Sequence, residues 1–276
     1  MIDLKEATFI IPIRIESPDR LRNIITVIAF LLENFDTNII IKEVDSESVF
    51  QKEAKPILKE ILDRDLEQRL IDVKCIFVQS HEPLFHRQKV LNEMIMEVKT
   101  KIVVNYDCDV ILPIQSYVKA YEGVMNGTFD VVYPYGNGRY QYQVKPSDNV
   151  VSDFLESNDY AILKSNARVH DSEFGWVQFF DRDTYIKGGM ENENFKAYAP
   201  EDKERYYRYT TLGYKVGRIT DYIYHLEHSR GENSWFTNPH MTSNNDEWEK
   251  IQRMNKEQLI EYYSGQSYLR KYNEGS

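Results

Sequence analysis

The stretch Lys101-Ile102-Val103-Val104-Asn105-Tyr106-Asp107-Cys108-Asp109 decides how this chain reads. Its apolar run Ile102-Val103-Val104 predicts a buried strand, and two carboxylates follow at i and i+2 where that strand leaves the core. Side chains repeat every two residues along a strand, so Asp107 and Asp109 are expected on one face. Side by side they repel, and a cation placed between them and an anionic ligand relieves the repulsion. Hard oxygen ligands on one side of such a cation leave positions open for phosphate oxygens. Paired Asp residues also end strands as turns or helix caps, so the motif has to be weighed with its surroundings.

Upstream, strands and helices alternate. Ala7 to Ile13 is a continuous apolar run, as in a central parallel strand, and Ser17-Pro18 offers an N-cap and a first-turn proline for a helix over Arg20 to Asn34. Asn38 to Val44 and Ile71 to Val78 read as the second and third strands. Lys52 to Arg69 reads as a helix between them, with Ile57, Leu58, Ile61, Leu62 and Leu66 on one face. Arg87 to Val98 is the helix before Lys101 to Asn105. Ligands of open α/β sheets sit at the carboxyl ends of strands, where Arg14, Asp45, Asp107 and Asp109 fall. Downstream, Phe129 to Pro134, Phe174 to Phe180 and Tyr214 to Ile219 read as strands and Glu201 to Leu212 as a helix. Residues 140–172 are polar and weakly periodic, as in a lid or an acceptor-side insertion, and Asn245 to Tyr263 has helical spacing. The simplest organisation is one domain over residues 1–240, with a nucleotide-binding half (1–110) and an acceptor and catalytic half (111–240). A helical extension over 241–276 completes it.

Composition bounds the function classes. The formal net charge of -10, without a basic stripe, makes the chain a poor nucleic-acid binder. Cys75 and Cys108, the two cysteines, fall in expected strands without metal-ligand spacing and read as buried free thiols of a reducing compartment. The N-terminus has no basic-then-apolar leader pattern, and the apolar stretch near Ile24 to Leu32 is too short to span a bilayer. A cytoplasmic protein is expected, with peripheral membrane association through a partner or a lipid-linked substrate still open. Oligomeric state is not readable. The 20 tyrosines suit carbohydrate faces as well as a half-buried core.

Five segments, in order, resemble the β-1,4-galactosyltransferases and, more distantly, the polypeptide N-acetylgalactosaminyltransferases. Ile10-Ile11-Pro12-Ile13-Arg14 is similar to the family's strand-one motif ending Pro-x-Arg. Phe85-His86-Arg87-Gln88-Lys89-Val90-Leu91-Asn92 is similar to F-N-R-A-K-L-L-N, and Asp107-Cys108-Asp109 to the D-x-D motif. Gly188-Gly189-Met190, with Pro200-Glu201-Asp202 after it, resembles N-G-F followed by W-G-G-E-D. His225-Leu226-Glu227-His228-Ser229-Arg230, with Asn238-Pro239 after it, resembles R-H-S-R followed by N-P. The resemblance implies an α/β fold of the GT-A type: a Rossmann-like, mostly parallel sheet flanked by helices, with the C-terminal helical extension appended. It implies a metal-dependent hexosyltransferase that moves galactose or N-acetylgalactosamine from a UDP-sugar donor to a saccharide acceptor, inverting the anomeric carbon, as in surface polysaccharide synthesis.

On that resemblance Asp109, His225 and His228 hold Mn²⁺ or another divalent metal, and Asp107 touches ribose or the metal's water. His225 stands where the family often carries Met. Pro12, Arg14, Asp45, Phe85 and Arg87 surround the nucleotide, with an aromatic face for the base and an arginine fork for phosphate. Asp202 is the expected general base, with Glu201 beside it, although acidic residues at a helix start also serve as caps. Tyr198 and Trp176 line the sugar pockets; Tyr198 replaces a family Trp, and Trp176 follows Gly175 where the family has paired glycines. Two other classes stay open. A nucleotidyltransferase also uses paired carboxylates, but the residues after strand one lack glycine. A UDP-sugar-binding module without turnover would keep the same residues.

Overall fold

The computed structural model describes residues 1–198, 200–231 and 237–273. The chain runs β1 (Ile2–Ile13), α1 (Pro18–Asn34), β2 (Phe35–Asp45), α2 (Lys55–Ile61), α3 (Arg64–Asp72), β3 (Lys74–Gln79), α4 (Arg87–Glu97) and β4 (Ile102–Tyr106). It continues through β5 (Val110–Ile111), α5 (Ile114–Met125), β6 (Val131–Tyr133), β7 (Gly138–Val144), α6 (Asp148–Ser157), α7 (Tyr160–Ser165), β8 (Ala167–Ser172), β9 (Val177–Asp181) and α8 (Arg182–Lys187). It closes with α9 (Glu201–Leu212), β10 (Val216–Arg218), β11 (Ile223–Leu226), α10 (Met241–Ile251), α11 (Lys256–Ser264) and α12 (Ser267–Asn273).

Among the described residues the strands form two sheets. The main one has seven strands in the order β10-β6-β9-β4-β1-β2-β3, parallel except for β9, which runs antiparallel to both neighbours. The smaller has four in the order β5-β11-β7-β8. β1 is central and parallel to β2 and β4, so its residues Ala7 to Ile13 are covered on both faces, which explains the unbroken apolar run. α1 begins as its sequence requires: Ser17 caps it by accepting from the Arg20 amide, and Pro18 opens it. Asn23 through Leu32 are buried all round that helix, because α6 covers its outer side and the Phe30 and Phe154 rings stack 5.8 Å apart.

Several expectations need correction. The helix over Lys52 to Arg69 is broken: a π-helical turn over Phe50–Ala54 leads into α2, and Asp63 then starts α3 by accepting from the Leu66 amide. Ile57 and Ile61, assigned to its buried face, are exposed, whereas Leu58 and Leu62 are buried. Strand three starts at Lys74, because Ile71 and Asp72 still belong to α3. It is an edge strand, which leaves Phe77 and Val78 exposed. Residues 140–172 are regular, containing most of β7, two helices and β8, which build the smaller sheet. The C-terminal pattern is two helices, separated where Asn255 forms a capping box with Gln258. Cys108 lies in a turn, and both thiols are free and half-buried. Among the described residues no helix is long and apolar enough to cross a membrane.

Candidate active site

A cleft of about 470 Å³ opens where β1 and β4 end, and both Asp107 and Asp109 line it. They do not share a strand face. β4 stops at Tyr106, and the two carboxylates part across a turn. Asp107 accepts from the Arg87 guanidinium at 2.5 Å, whereas Asp109 stands 3.0 Å from His228 Nε2 and 3.8 Å from His225 Nε2. The turn is closed from inside the core. Tyr106 donates to the Val110 carbonyl at 2.7 Å and meets the Tyr117 hydroxyl at 2.6 Å, and that hydroxyl accepts from the Leu112 amide.

β11 brings the histidines to the turn. The Leu226 amide donates to the Asp109 carbonyl at 2.8 Å, and buried Asn23 of α1 donates to the Leu226 carbonyl at 2.9 Å. A ligand atom from each of Asp109, His225 and His228 lies within 4.8 Å of the others. His228 Nδ1 is 2.7 Å from the Ser229 carbonyl; a proton on Nδ1 makes that hydrogen bond and leaves the Nε2 lone pair facing Asp109. Burial disfavours charge on Asp109, yet the two imidazoles outweigh burial and hold its carboxyl well below the usual range. Burial likewise opposes charge on His228, but the hydrogen bond and charge of Asp109 raise it. Two imidazoles and a carboxylate without other charge partners fit a transition metal better than Mg²⁺.

α9 forms the opposite wall. Its first residue, Glu201, is buried, and its Oε2 has no hydrogen-bond partner among the described residues. Burial, then the neighbouring Asp202 charge, push the Glu201 carboxyl up to about 8. Asp202 follows Glu201 on the same helix. One of its oxygens accepts from Arg205 at 2.8 Å; the other sits so close to Gly175 that a Cβ there would stand 2.9 Å from it. Arg205 is 1% exposed and donates twice to Glu191, at 2.7 Å each, and Tyr185 also donates to Glu191. Trp176, beside Gly175, holds φ at +66°, a left-handed backbone that a tryptophan rarely adopts. Asp107 fixes it there by donating its amide to the Trp176 carbonyl at 2.9 Å. The indole lies edge-on to Tyr135 and 6.5 Å from His225.

Pro12, Arg14, Phe85, Arg87, Tyr198, Glu201, Trp176 and the triad all line this one cleft. Asp45 does not. It lies in an adjoining depression that shares Arg14, and it accepts from the Ser46 amide. Arg14 is largely engaged with the main chain, donating to the carbonyls of Val44, Glu82 and Pro83, with its guanidinium 5.4 Å from the Phe85 ring centre. Asp202 does not line the cleft, although its side chain is a third exposed. Three groups were absent from the sequence reading. Arg20, in the first turn of α1, lines the cleft with a buried Nε that has no hydrogen-bond partner among the described residues. The Arg205–Glu191 pair had a signal in the i, i+3 spacing of Asp202 and Arg205 on a predicted helix. Gln141, Gln143 and His170 reach the cleft from the smaller sheet; their signal was the apolar–polar alternation of Tyr140 to Val144 and of Ala167 to His170.

The mostly parallel sheet with a smaller sheet beside it is the GT-A fold, and solved structures share it. The chain is similar to the mannosyltransferase PcManGT from Pyrobaculum calidifontis, in complex with GDP-Man and Mn²⁺, at 15% identity and a TM-score of 0.55, covering 96% of this chain and 69% of that one. It is similar to GalNAc-T7 with UDP, GalNAc and Mn²⁺ at 12% identity and a TM-score of 0.56, covering 98% of this chain and 54% of that one. At such identities the likeness establishes the GT-A fold alone. No family model and no curated protein matches the chain.

Proposed function

We propose that the chain is a metal-dependent glycosyltransferase that moves a hexose, galactose or N-acetylgalactosamine, from a UDP-sugar to a saccharide hydroxyl with inversion. The observation that carries this reading is the Asp109–His225–His228 triad, set beside arginines in one cleft of a GT-A fold. The triad would hold Mn²⁺, which when bound neutralises the departing diphosphate as a Lewis acid. Arg20 and Arg87 supply fixed positive charge around that leaving group. The cation-packed Phe85 ring offers a face to uracil, and Pro12 and Arg14 shape the floor beneath it.

Asp202 takes the proton of the acceptor hydroxyl, and Arg205 keeps one of its oxygens fixed while the other is left to accept. Glu201, neutral at pH 7 because its carboxyl is pushed up to about 8, donates a hydrogen bond to a sugar and does not compete as base. Trp176 and Tyr198 limit the sugar pocket. Residues 1–240 form the catalytic unit in this reading, and 241–276 its helical extension. Inversion requires one base on the face opposite the leaving group, the role this reading gives Asp202. Surface polysaccharide is the product class expected of such an acceptor.

Calorimetric titration of UDP and of GDP, with Mn²⁺ and with chelator, tests the donor half. UDP binding that requires Mn²⁺ and falls at least about 100-fold in Asp109→Ala supports the reading. GDP preference overturns the choice of base, and no nucleotide binding under any metal condition returns Asp107 and Asp109 to a structural turn. The anomeric coupling of the product distinguishes the outcomes at carbon: an α-linked product from an α-linked donor overturns inversion.

A further inference from the structure

The smaller sheet turns a polar face to the cleft, and of that face only His225 has a part in the donor chemistry. Gln141 and Gln143 of β7 line the cleft together with His170 of β8 and His225 of β11. Their registry explains this. His225 pairs with Gln143, and Gln141 pairs with both Ile223 and His170. Residues paired across strands share a face, and i, i+2 neighbours share it too. The alternate residues Tyr142, Val144 and Tyr224 point to the other side, where they are buried; the Tyr142 and Tyr224 rings stack 5.2 Å apart. The sheet therefore has an aromatic back and a polar front.

Gln141 is the telling residue. It is 6% exposed, lines the cleft, and its amide has no hydrogen-bond partner among the described residues. Gln143 and His170 have no side-chain partner among the described residues either, whereas Arg168, in the same row as Gln143, is already neutralised by Glu227 at 2.8 Å. The Gln141 amide atoms still reach the cleft solvent, so an acceptor hydroxyl can take the place of the water they bind there. Two amides and an imidazole both donate and accept and carry no fixed charge, which matches hydroxyl groups. The row also has a direction. It runs from the metal-ligand candidate His225 to Gln143, on to Gln141 two residues along β7, and across to His170 on the edge strand β8, about 10 Å across the strands at ordinary strand spacing. That is farther than the donor's single sugar reaches, and it leads to solvent.

We infer that Gln141, Gln143 and His170 form a subsite for a neutral, linear oligosaccharide acceptor, gripping the sugar units behind the one that receives the new residue. The inference rests on the glycosyltransferase reading above and specifies its acceptor as a chain of hydroxyl-bearing units, threaded over the smaller sheet and out past β8.

The test uses the full chain with Mn²⁺ and UDP, and four linear neutral tetrasaccharides (α-glucan, β-glucan, chitin-type and mannan-type) with their monosaccharides as probes. UDP affinity is measured first by calorimetry, and binding of each saccharide to the UDP complex follows by saturation-transfer NMR. The expected result is that at least one tetrasaccharide binds ten-fold or more tightly than its monosaccharide. Gln141→Ala and His170→Ala should each weaken it by about ten-fold, as loss of one or two hydrogen bonds requires, while UDP affinity stays as in wild type. His170 is exposed, so its variant keeps the test valid if Gln141→Ala does not fold. Loss of UDP affinity in both variants would make the surface part of the donor site and overturn the assignment. Normal UDP binding with no tetrasaccharide preference, or with a preference the variants do not alter, overturns it as well while leaving the transferase reading in place. No UDP binding in the wild type removes the reading and the subsite together.

Discussion

Glu201 and Asp202 are adjacent in sequence and opposite in environment. Glu201 is buried with an unpaired oxygen, and Asp202 is held by Arg205. The consequence for stability has a definite sign. The folded Glu201 carboxyl titrates at about 8 and the unfolded one near 4.5, so between those values the folded state binds more protons and stability falls as pH rises. Urea denaturation of the metal-free protein at pH 5.5 and 8.5 should show wild type losing roughly 2–3 kcal/mol relative to Glu201→Gln. Equal losses in both would place the proton elsewhere. Arg205 makes the reverse case. Arg205→Met leaves Glu191 charged and buried and should cost about 3–5 kcal/mol. Arg205→Lys retains the charge but cannot hold Glu191 and Asp202 at once, so it should fold and lower kcat at unchanged nucleotide affinity. An unchanged kcat would reduce Arg205 to packing. Trp176 offers a test of backbone strain. At φ +66° a glycine is at ease and an alanine is not, so Trp176→Gly should be about 1 kcal/mol more stable than Trp176→Ala by urea denaturation, the reverse of the usual order.

Elements act here as braces. α11 presents Tyr263, whose hydroxyl donates to Glu204 at 2.5 Å and accepts from Asn192 at 3.0 Å, and α10 presents Asn244, which meets the Lys196 main chain on both its amide and its carbonyl. The C-terminal helices thus hold the segment from Gly188 to Tyr198 that carries one wall of the cleft. Gly189, at φ +94°, turns that segment in a space where a Cβ would stand 2.6 Å from Tyr263. Removing the capping box of α11 with Asn255→Ala should cost about 1 kcal/mol in thermal or urea unfolding. α4 was legible at this scale because Val90, Leu91, Met94 and Ile95 recur at helical spacing, and α9 because Glu201, Asp202 and Glu204 mark an acidic first turn, although the side it buries is mostly charged. The helix over Lys52 to Arg69 was not, because Leu62 and Leu66 continue the apolar spacing while the backbone turns extended at Leu62. Residues 140–172 escaped for a different reason: β7 does alternate, as Tyr140-Gln141-Tyr142-Gln143-Val144, but its apolar positions are mostly tyrosines and two short helices separate it from β8.

At the scale of the whole molecule, the triad joins residues more than a hundred positions apart, so occupying it ties the end of β4 to the end of β11. A metal that binds the folded chain only should stabilise it by about 2.7 kcal/mol at a hundred times its dissociation constant. Mn²⁺ is therefore expected to raise the Tm of wild type and leave Asp109→Ala unmoved, with chelator reversing the rise. A rise of equal size in both proteins would move the metal away from the triad.

By itself the sequence determined the order of the nucleotide-side strands and helices, since central parallel strands must be apolar throughout and helix starts need a cap such as Ser17. It also determined which residue types were available for the metal and the acid–base chemistry. Tertiary structure alone decided how they are divided. Asp107 and Asp109 part because the strand ends one residue before them, and Arg87 and two histidines from distant elements claim one each. Asp45, equally well placed at a strand end, falls into a neighbouring depression. The polar front of the smaller sheet exists only in the pairing of β11, β7 and β8, because registry across strands follows from packing and the alternation within one strand does not name its partner.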